Sequence, residues 1–228
     1  ASMVCFNKVQ TKMWLDALNV ANVPYAFLSE GDQNDIEKAE TCFDQWNGLF
    51  LKASSQGSSI GCYNIEKKEE IAPSMKEAFH YSPYVLLEKS LKGARELEVA
   101  VFEYEGEIIA TPPGEIVCPD GFYTFEEKYD DSSHTQTRVE ASDVNSSTVE
   151  QIQKTAKNVF QKLKLHHLSR IDFFLTQEGE VYLNEINTFP GLTPISMFPK
   201  MLENQKVDGE SLTFEKFLES TLKEQNII

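Results

Sequence analysis

Positive charge is scarce in this sequence. Across 228 residues, 21 Lys and Arg stand against 36 Asp and Glu, a formal net charge of −15 at pH 7. Affinity for a polyphosphate backbone rests on many cationic contacts, so this balance argues against nucleic acid as a partner. Long apolar runs are missing as well: no stretch approaches the ~18 residues of a membrane span, which argues against a membrane partner. The opening residues 1–8 lack the charged-then-apolar order of a secretory signal. A soluble, cytoplasmic protein is the expectation. Cysteine is sparse, and Cys5, Cys42, Cys62 and Cys118 form no C-x-x-C, so neither a zinc knuckle nor a redox pair is signalled and reduced thiols are expected. Internal repeats and low-complexity tracts are lacking too.

What is present reads as globular protein: 41% apolar and 25% charged side chains, enough for one large domain or two small ones. Val9, Met13, Ala17 and Leu18 recur at helical spacing, and that helix should stop before Val23-Pro24, because the residue before Pro avoids the α region. A strand over 25–28 comes next, then an amphipathic helix marked by Ile36, Ala39, Phe43 and Trp46, and an Asn47-Gly48 turn. The apolar run 49–51 carries Lys52 at its end and leads into a Ser/Gly-rich segment, 53–59. A strand over 60–65 and a charged helix over 66–79 complete a small α/β unit. From Tyr84 the texture turns to strands: 84–87, 97–104 and 107–110, with a short turn at Glu105-Gly106 and a hinge at Lys92-Gly93. The polar stretch 119–143 has few periodic apolar residues, and a loop of that length in a compact domain reads as a lid. Ser147–Glu150 forms a capping box for a helix striped by Val149, Ile152, Ala156, Val159, Phe160 and Leu163.

The most informative segment joins residues 168–175 to residues 181–187 through Glu178-Gly179. Read as two strands with a two-residue turn, it pairs Gln177 with Glu180 and sets Asp172 opposite Glu185 and Arg170 opposite Asn187, all on one face. Side chains so placed lie ~5 Å apart at Cβ, where two carboxylates repel unless a cation separates them. Two carboxylates and an amide oxygen suit a hard cation such as Mg²⁺. The pattern serves equally a solvated polar face on which Arg170 pairs with both acids. The residues after the hairpin favour the metal: the stiff turn 188–194 contains Gly191, which permits close approach of backbone to a ligand, and Ser196 starts a helix, a place for anions.

At these residues the sequence resembles the D-alanine:D-alanine ligase branch of the ATP-grasp superfamily. The match runs through Ser169-Arg170-Ile171-Asp172-Phe173-Phe174, Asn184-Glu185-Ile186-Asn187-Thr188-Phe189-Pro190-Gly191-Leu192-Thr193 and Ser196-Met197-Phe198-Pro199-Lys200-Met201. Further back, Asn7-Lys8, Leu51-Lys52 with Gly57-Ser58-Ser59-Ile60-Gly61, Leu87-Glu88-Lys89 with Arg95-Glu96-Leu97-Glu98-Val99, and Phe122-Tyr123 with Glu127-Lys128-Tyr129 fall in family order. The resemblance implies an α+β ATP-grasp fold with the nucleotide between two lobes, a central lobe over 1–93 and a C-terminal lobe over 94–228 with a lid loop at 119–143. It also implies that the family's N-terminal substrate domain is not in this chain.

By the same resemblance, Lys8 and Lys52 would hold ATP phosphates with Ser58 and Ser59 as a phosphate loop, and Lys128 would reach the γ-phosphate from the lid. Glu88, Lys89 and the backbone near Leu91 would meet adenine, and Glu96 the ribose hydroxyls. Asp172, Glu185 and Asn187 would hold Mg²⁺, two ions in the fuller set and Mn²⁺ as an alternative. Arg170 and the Gly191 N–H would meet the tetrahedral oxyanion, Tyr123 and Ser58 would pair, and Tyr129, Ser196 and Met197 would bind the second substrate. Taken singly, each lysine also reads as a surface charge and Gly-Ser-Ser as a turn, and an exposed strand-edge charge describes Glu98 better than Glu88. Asn7 for Asp, Ala53 for Pro and Met197 for Leu depart from the family pattern. The implied function is ATP-dependent joining of two D-alanines for peptidoglycan precursors, with a homodimer as an allowed assembly. The rivals are another ATP-grasp carboxylate–amine ligase and a nucleotide-binding fragment without turnover.

Overall fold

The computed structural model describes residues 1–117, 136–207, 209–225 and 227, and its second helix starts where a side chain satisfies a free backbone N–H. Helix α1 (Ser2–Phe6) runs into α2 (Lys8–Ala17), whose N-cap Asn7 accepts from the Gln10 N–H at 3.0 Å. Asn and Asp cap comparably, so the departure at Asn7 leaves this start intact. The apolar stripe expected on α2 is not the one it buries. Val9, Thr11, Lys12 and Leu15 face inward, whereas Met13 is 53% exposed and Ala17 lies on the surface. A buried ammonium, Lys12, occupies the stripe where periodicity alone looks for an apolar residue.

Strands β1 (Tyr25–Ser29), β2 (Leu49–Ala53), β3 (Cys62–Ile65) and β4 (Tyr84–Lys89) form an antiparallel sheet in the order β1-β4-β2-β3. Helices α3 (Asp35–Trp46) and α4 (Ile71–Phe79) cover one face, where Ala39, Cys42, Ile71, Met75 and Ala78 pack on Leu49, Leu51, Val85 and Leu87. Side chains alternate along a strand, so Lys52 and Glu88 point from the opposite face.

The larger sheet runs β10-β9-β5-β7-β8, with β6 also on β5. Its strands are β5 (Arg95–Tyr104), β6 (Glu107–Ala110), β7 (Gly114–Val117), β8 (Gln136–Arg138), β9 (Leu168–Leu175) and β10 (Val181–Asn187). Alternation on β5 divides its residues between two cores. Leu97, Val99 and Val101 pack against Ile152, Ala156, Val159 and Phe160 of α5 (Ser146–Lys162). Ala100 and Phe102 pack against α6 (Met197–Asn204) and Phe217 of α7 (Phe214–Glu224). A short hairpin, β11 (Lys206–Val207) with β12 (Glu210–Ser211), links those last helices. Cys5, Leu15 and Val20 belong to the α5-side core, and the Leu183 N–H donates to the Ala21 carbonyl at 2.9 Å, so the N-terminal helices lie across the junction of the sheets.

Antiparallel sheets covered by helices make an α+β fold, as expected. The cap of α5 is not: Asn145, extended at ψ 150°, accepts from the Thr148 N–H at 2.9 Å, two residues ahead of the Ser147 box. Within the stretch read as a lid, 136–138 is a strand paired with β7, and 118–135 lies outside the described residues. Cys5, Cys42 and Cys62 are reduced thiols. Among the described residues no helix is long and apolar enough to cross a membrane.

Candidate functional site

The acidic hairpin reaches its expected register by a different route. Its turn has three residues, 177–179: the Thr176 N–H donates to the Glu180 carbonyl at 2.9 Å, and Gly179 takes the left-handed φ of +85°. That shift leaves Leu175, Phe174 and Phe173 opposite Val181, Tyr182 and Leu183, and an irregularity at Asn184 then cancels it. Beyond it Asp172 faces Glu185 and Arg170 faces Asn187. The same irregularity is where the Asn184 Oδ1 accepts from Lys52 Nζ at 3.0 Å, tying the large sheet to the small one.

Glu98 on β5 is register partner to Asp172, so Glu98, Asp172 and Glu185 form a row across three neighbouring strands. Arg170 serves it: Nε and Nη2 donate to the Asp172 carboxylate at 2.8 Å each, and Nε lies 3.3 Å from Glu98 Oε1. The Asn187 Nδ2 donates to Asp172 at 3.0 Å and to Glu185 at 3.2 Å. Burial pushes Glu98 up to about 8, offset in part by Arg170, and pushes Asp172 up as well. Burial also pushes Glu185 up, but Lys8, Arg170 and Lys52 outweigh it and hold this carboxyl at about 2. Glu98 is therefore no exposed strand-edge charge: it is buried, and its Oε2 has no hydrogen-bond partner among the described residues. Among those residues no three His, Cys, Asp or Glu side chains are set to hold a metal by themselves. The Asn187 amide presents its nitrogen to the carboxylates, and it offers oxygen only after a half-turn.

Across the junction the small sheet is cationic. Glu88 is buried, with Lys12 at 2.5 Å from one carboxylate oxygen and Lys52 at 2.5 Å from the other. Burial pushes Glu88 up, yet the two ammoniums hold it at about 2. The Lys52 ammonium lies over the rings of Phe50 and Phe174, 5.3 and 5.8 Å from their centroids. Lys8 donates to the Gln56 carbonyl at 2.5 Å and stands 3.9 Å from Glu185, bridging the Ser/Gly loop and the acidic row. In that loop Ser58 and Ser59 take φ of +51° and +61°, consecutive left-handed residues in a tight turn that the Ile60 N–H closes on the Gly57 carbonyl at 3.1 Å.

Of the remaining expected residues, Glu96 lies two residues before Glu98 on the same face of β5, opposite Phe174. Lys89 is exposed at the end of β4, and Leu91 is half-buried just beyond it. At Gly191 a Cβ would stand 2.6 Å from the Ser196 hydroxyl, so a side chain there would make that hydroxyl move. Ser196 bonds Thr193 through their hydroxyls at 2.8 Å. Met197 is buried in the α6-side core instead of lining an open cleft, because the backbone of Gly114 leaves room for its side chain. Tyr123, Lys128 and Tyr129 lie outside the described residues. Sequence reading missed Lys12, Glu98 and Asn184. Only Glu98 left a trace, its two-residue spacing from Glu96.

The family described as D-ala D-ala ligase C-terminus matches residues 14–219. The chain belongs to the D-ala D-ala ligase family. It is 54% identical over its whole length to a D-alanine–D-alanine ligase of Shewanella sediminis and covers 66% of that relative. It is 58% identical over 90% of its length to the D-alanine–D-alanine ligase of Shewanella halifaxensis, covering 61% of it. Among solved structures, D-alanyl-alanine synthetase A from Vibrio cholerae matches 98% of the chain at a TM-score of 0.88 and 47% identity, with 66% of that structure covered. The VanG D-Ala:D-Ser ligase from Enterococcus faecalis matches 96% at 0.78 and 26% identity, with 61% covered. The chain thus spans 61 to 66% of the length of these D-ala D-ala ligase relatives.

Proposed function

We propose that this chain is the ATP- and Mg²⁺-binding part of a cytoplasmic ligase that joins two D-alanines. The observation that carries this is the facing of two opposite charge clusters, Lys8, Lys12 and Lys52 on one side and Glu98, Asp172 and Glu185 on the other, linked by Lys52–Asn184. One suits an anion and the other a cation, which together describe a metal–polyphosphate ligand. Lys8, Lys52 and the Ser58-Ser59 loop take the phosphates, Lys89 and the backbone at Leu91 the base, and Glu96 the ribose. Lys128 and Tyr129, which the family resemblance adds to this set, lie outside the described residues.

The acidic row fits Mg²⁺ by its hard oxygen donors, of which one Glu98 oxygen has no hydrogen-bond partner among the described residues. Asp172, Glu185 and Asn187 would hold it, as one ion or two, and when bound it supplies charge neutralisation for phosphoryl transfer. The first substrate's carboxylate attacks the γ-phosphorus and ADP leaves. The second substrate's amine attacks the resulting acyl carbon, and phosphate departs. Arg170, fixed by its two bonds to Asp172, and the Gly191 N–H donate to the oxyanion of that second step, preorganised donors each worth ~3 kcal/mol. Ser196 orients the second substrate with Tyr129, and the Met197 side chain supports that helix start from the core.

A fragment that binds nucleotide without turnover is the second reading, favoured by the share of the relatives that the chain spans. Titration calorimetry with MgATP, then D-alanine-dependent phosphate release, separates them. Release by the 228-residue chain supports the ligase, binding alone supports the fragment, and no binding overturns both.

A further inference from the structure

Lys12 comes from α2, is 1% exposed and reaches no solvent, so it can touch neither a nucleotide nor a substrate. Among the described residues its ammonium pairs with one carboxylate, Glu88, whose other oxygen is held by Lys52. Two ammoniums share one carboxylate, which leaves this trio one positive charge in surplus, faced across the junction by Glu185. Lys52 is the member that carries this surplus outward: its Nζ also reaches Asn184 and stands over Phe50 and Phe174 at the junction of the sheets. A buried excess charge is costly unless something compensates it, and most such lysines are paired one-to-one. Here the arrangement has a consequence for any anion that enters. Without Lys12, the full charge of Glu88 would fall on Lys52, and the pair would be neutral.

We propose that Lys12 is a positioning residue for polyphosphate binding: by occupying half of Glu88, it keeps the charge of Lys52 available to an anionic ligand. The inference rests on the nucleotide reading above and adds to it a residue that acts only through another. It also assigns Glu88 a role beyond any contact with the base, as the carboxylate that two lysines divide. Burial, with Lys52 beside it, pulls the Lys12 ammonium below its usual range, and Glu88 opposes that fall.

The test uses the 228-residue chain with two probes, MgATP and inorganic tripolyphosphate, which carries the charge without the base. Lys12→Met removes the cation and leaves Glu88 paired with Lys52, so the variant should fold and melt close to wild type. Its affinity for both probes should fall about tenfold or more, the scale of a full charge a few ångströms further in. Adding Glu88→Gln to Lys12→Met restores one net positive charge at Lys52 and should recover most of the tripolyphosphate affinity. A purely structural role for Lys12 predicts no such recovery. Unchanged tripolyphosphate affinity in folded Lys12→Met, or no recovery in the double variant, overturns the proposal. So does loss of folding in both Lys12→Met and Lys12→Gln, which would make the lysine structural. If wild type binds neither probe, it is the nucleotide reading that falls.

Discussion

The two sheets meet in clusters built alike and charged oppositely. On the small sheet one carboxylate, Glu88, is divided between two buried lysines. On the large sheet one guanidinium, Arg170, is divided between Asp172 and Glu98, with Glu185 completing the row. Formally the first carries one positive charge in surplus and the second two negative charges, and the two surpluses face each other. The difference teaches how a strongly acidic protein, at −15 overall, can still present a cationic wall to a phosphate ligand. Net charge is a property of the whole surface, whereas a site is set by which few charges are left unmatched at close range.

The sharpest way to break the comparison is to remove the cation at the centre of the anionic cluster. Arg170→Ala should cost about 3–5 kcal/mol in urea unfolding, because Asp172 and Glu98 are left buried without their cation. A cost below about 1 kcal/mol would mean that the row is already compensated. On the cationic side the charge of Glu88 is readable by pH. Its folded pKa, about 2, lies below the usual 4.5, so its contribution is fully present above 4.5 and is lost as pH falls through 2. That window is worth on the order of 3 kcal/mol, and thermal melts of Glu88→Gln should be flatter across it than those of wild type. Equal slopes would show that the lysines do not depress Glu88.

Ligand tests sharpen the contrast between the clusters. MgATP at about a hundred times its Kd should stabilise the chain by about 2.7 kcal/mol. Glu185→Ala should abolish this gain, and equal rises in melting temperature for both proteins would remove Glu185 from the metal set. The smallest effect concerns the link between the halves. Asn184→Ala deletes the acceptor of the Lys52 bond and should cost about 1.5 kcal/mol, as expected for a hydrogen bond to a charged group. A cost that vanishes would show that the sheets are held together without it.

Asp172 opposite Glu185 was legible because strand alternation and a nearby turn constrain pairing strongly. Even so, a three-residue turn and a bulge each moved the register by one, in opposite directions, and only their sum matched the simple hairpin. Asn184 was invisible for that reason: alternation says where a side chain points only in an unbroken strand. Glu98 read as a surface charge since nothing local says that its strand is central, with neighbours on both sides. Met197 read as a substrate contact because a motif position does not report which side of a helix start is covered.

What the amino-acid order determined by itself was local: the helical stripe on α5, alternating strands, the Asn47 and Gly179 turns, and the acidic hairpin, all of which depend on residues within a few positions of one another. The α+β class came from the family resemblance, because element order alone read as a small α/β unit followed by strands. What only the tertiary structure decided was every charge pairing across distance. Lys12 and Glu88 are 76 positions apart and Lys52 and Asn184 are 132 apart, and no periodicity relates them. A lysine buried against a distant carboxylate looks in sequence like any polar helix residue. Its partner, and therefore its cost and its use, exists only once both sheets have packed and water has been excluded between them.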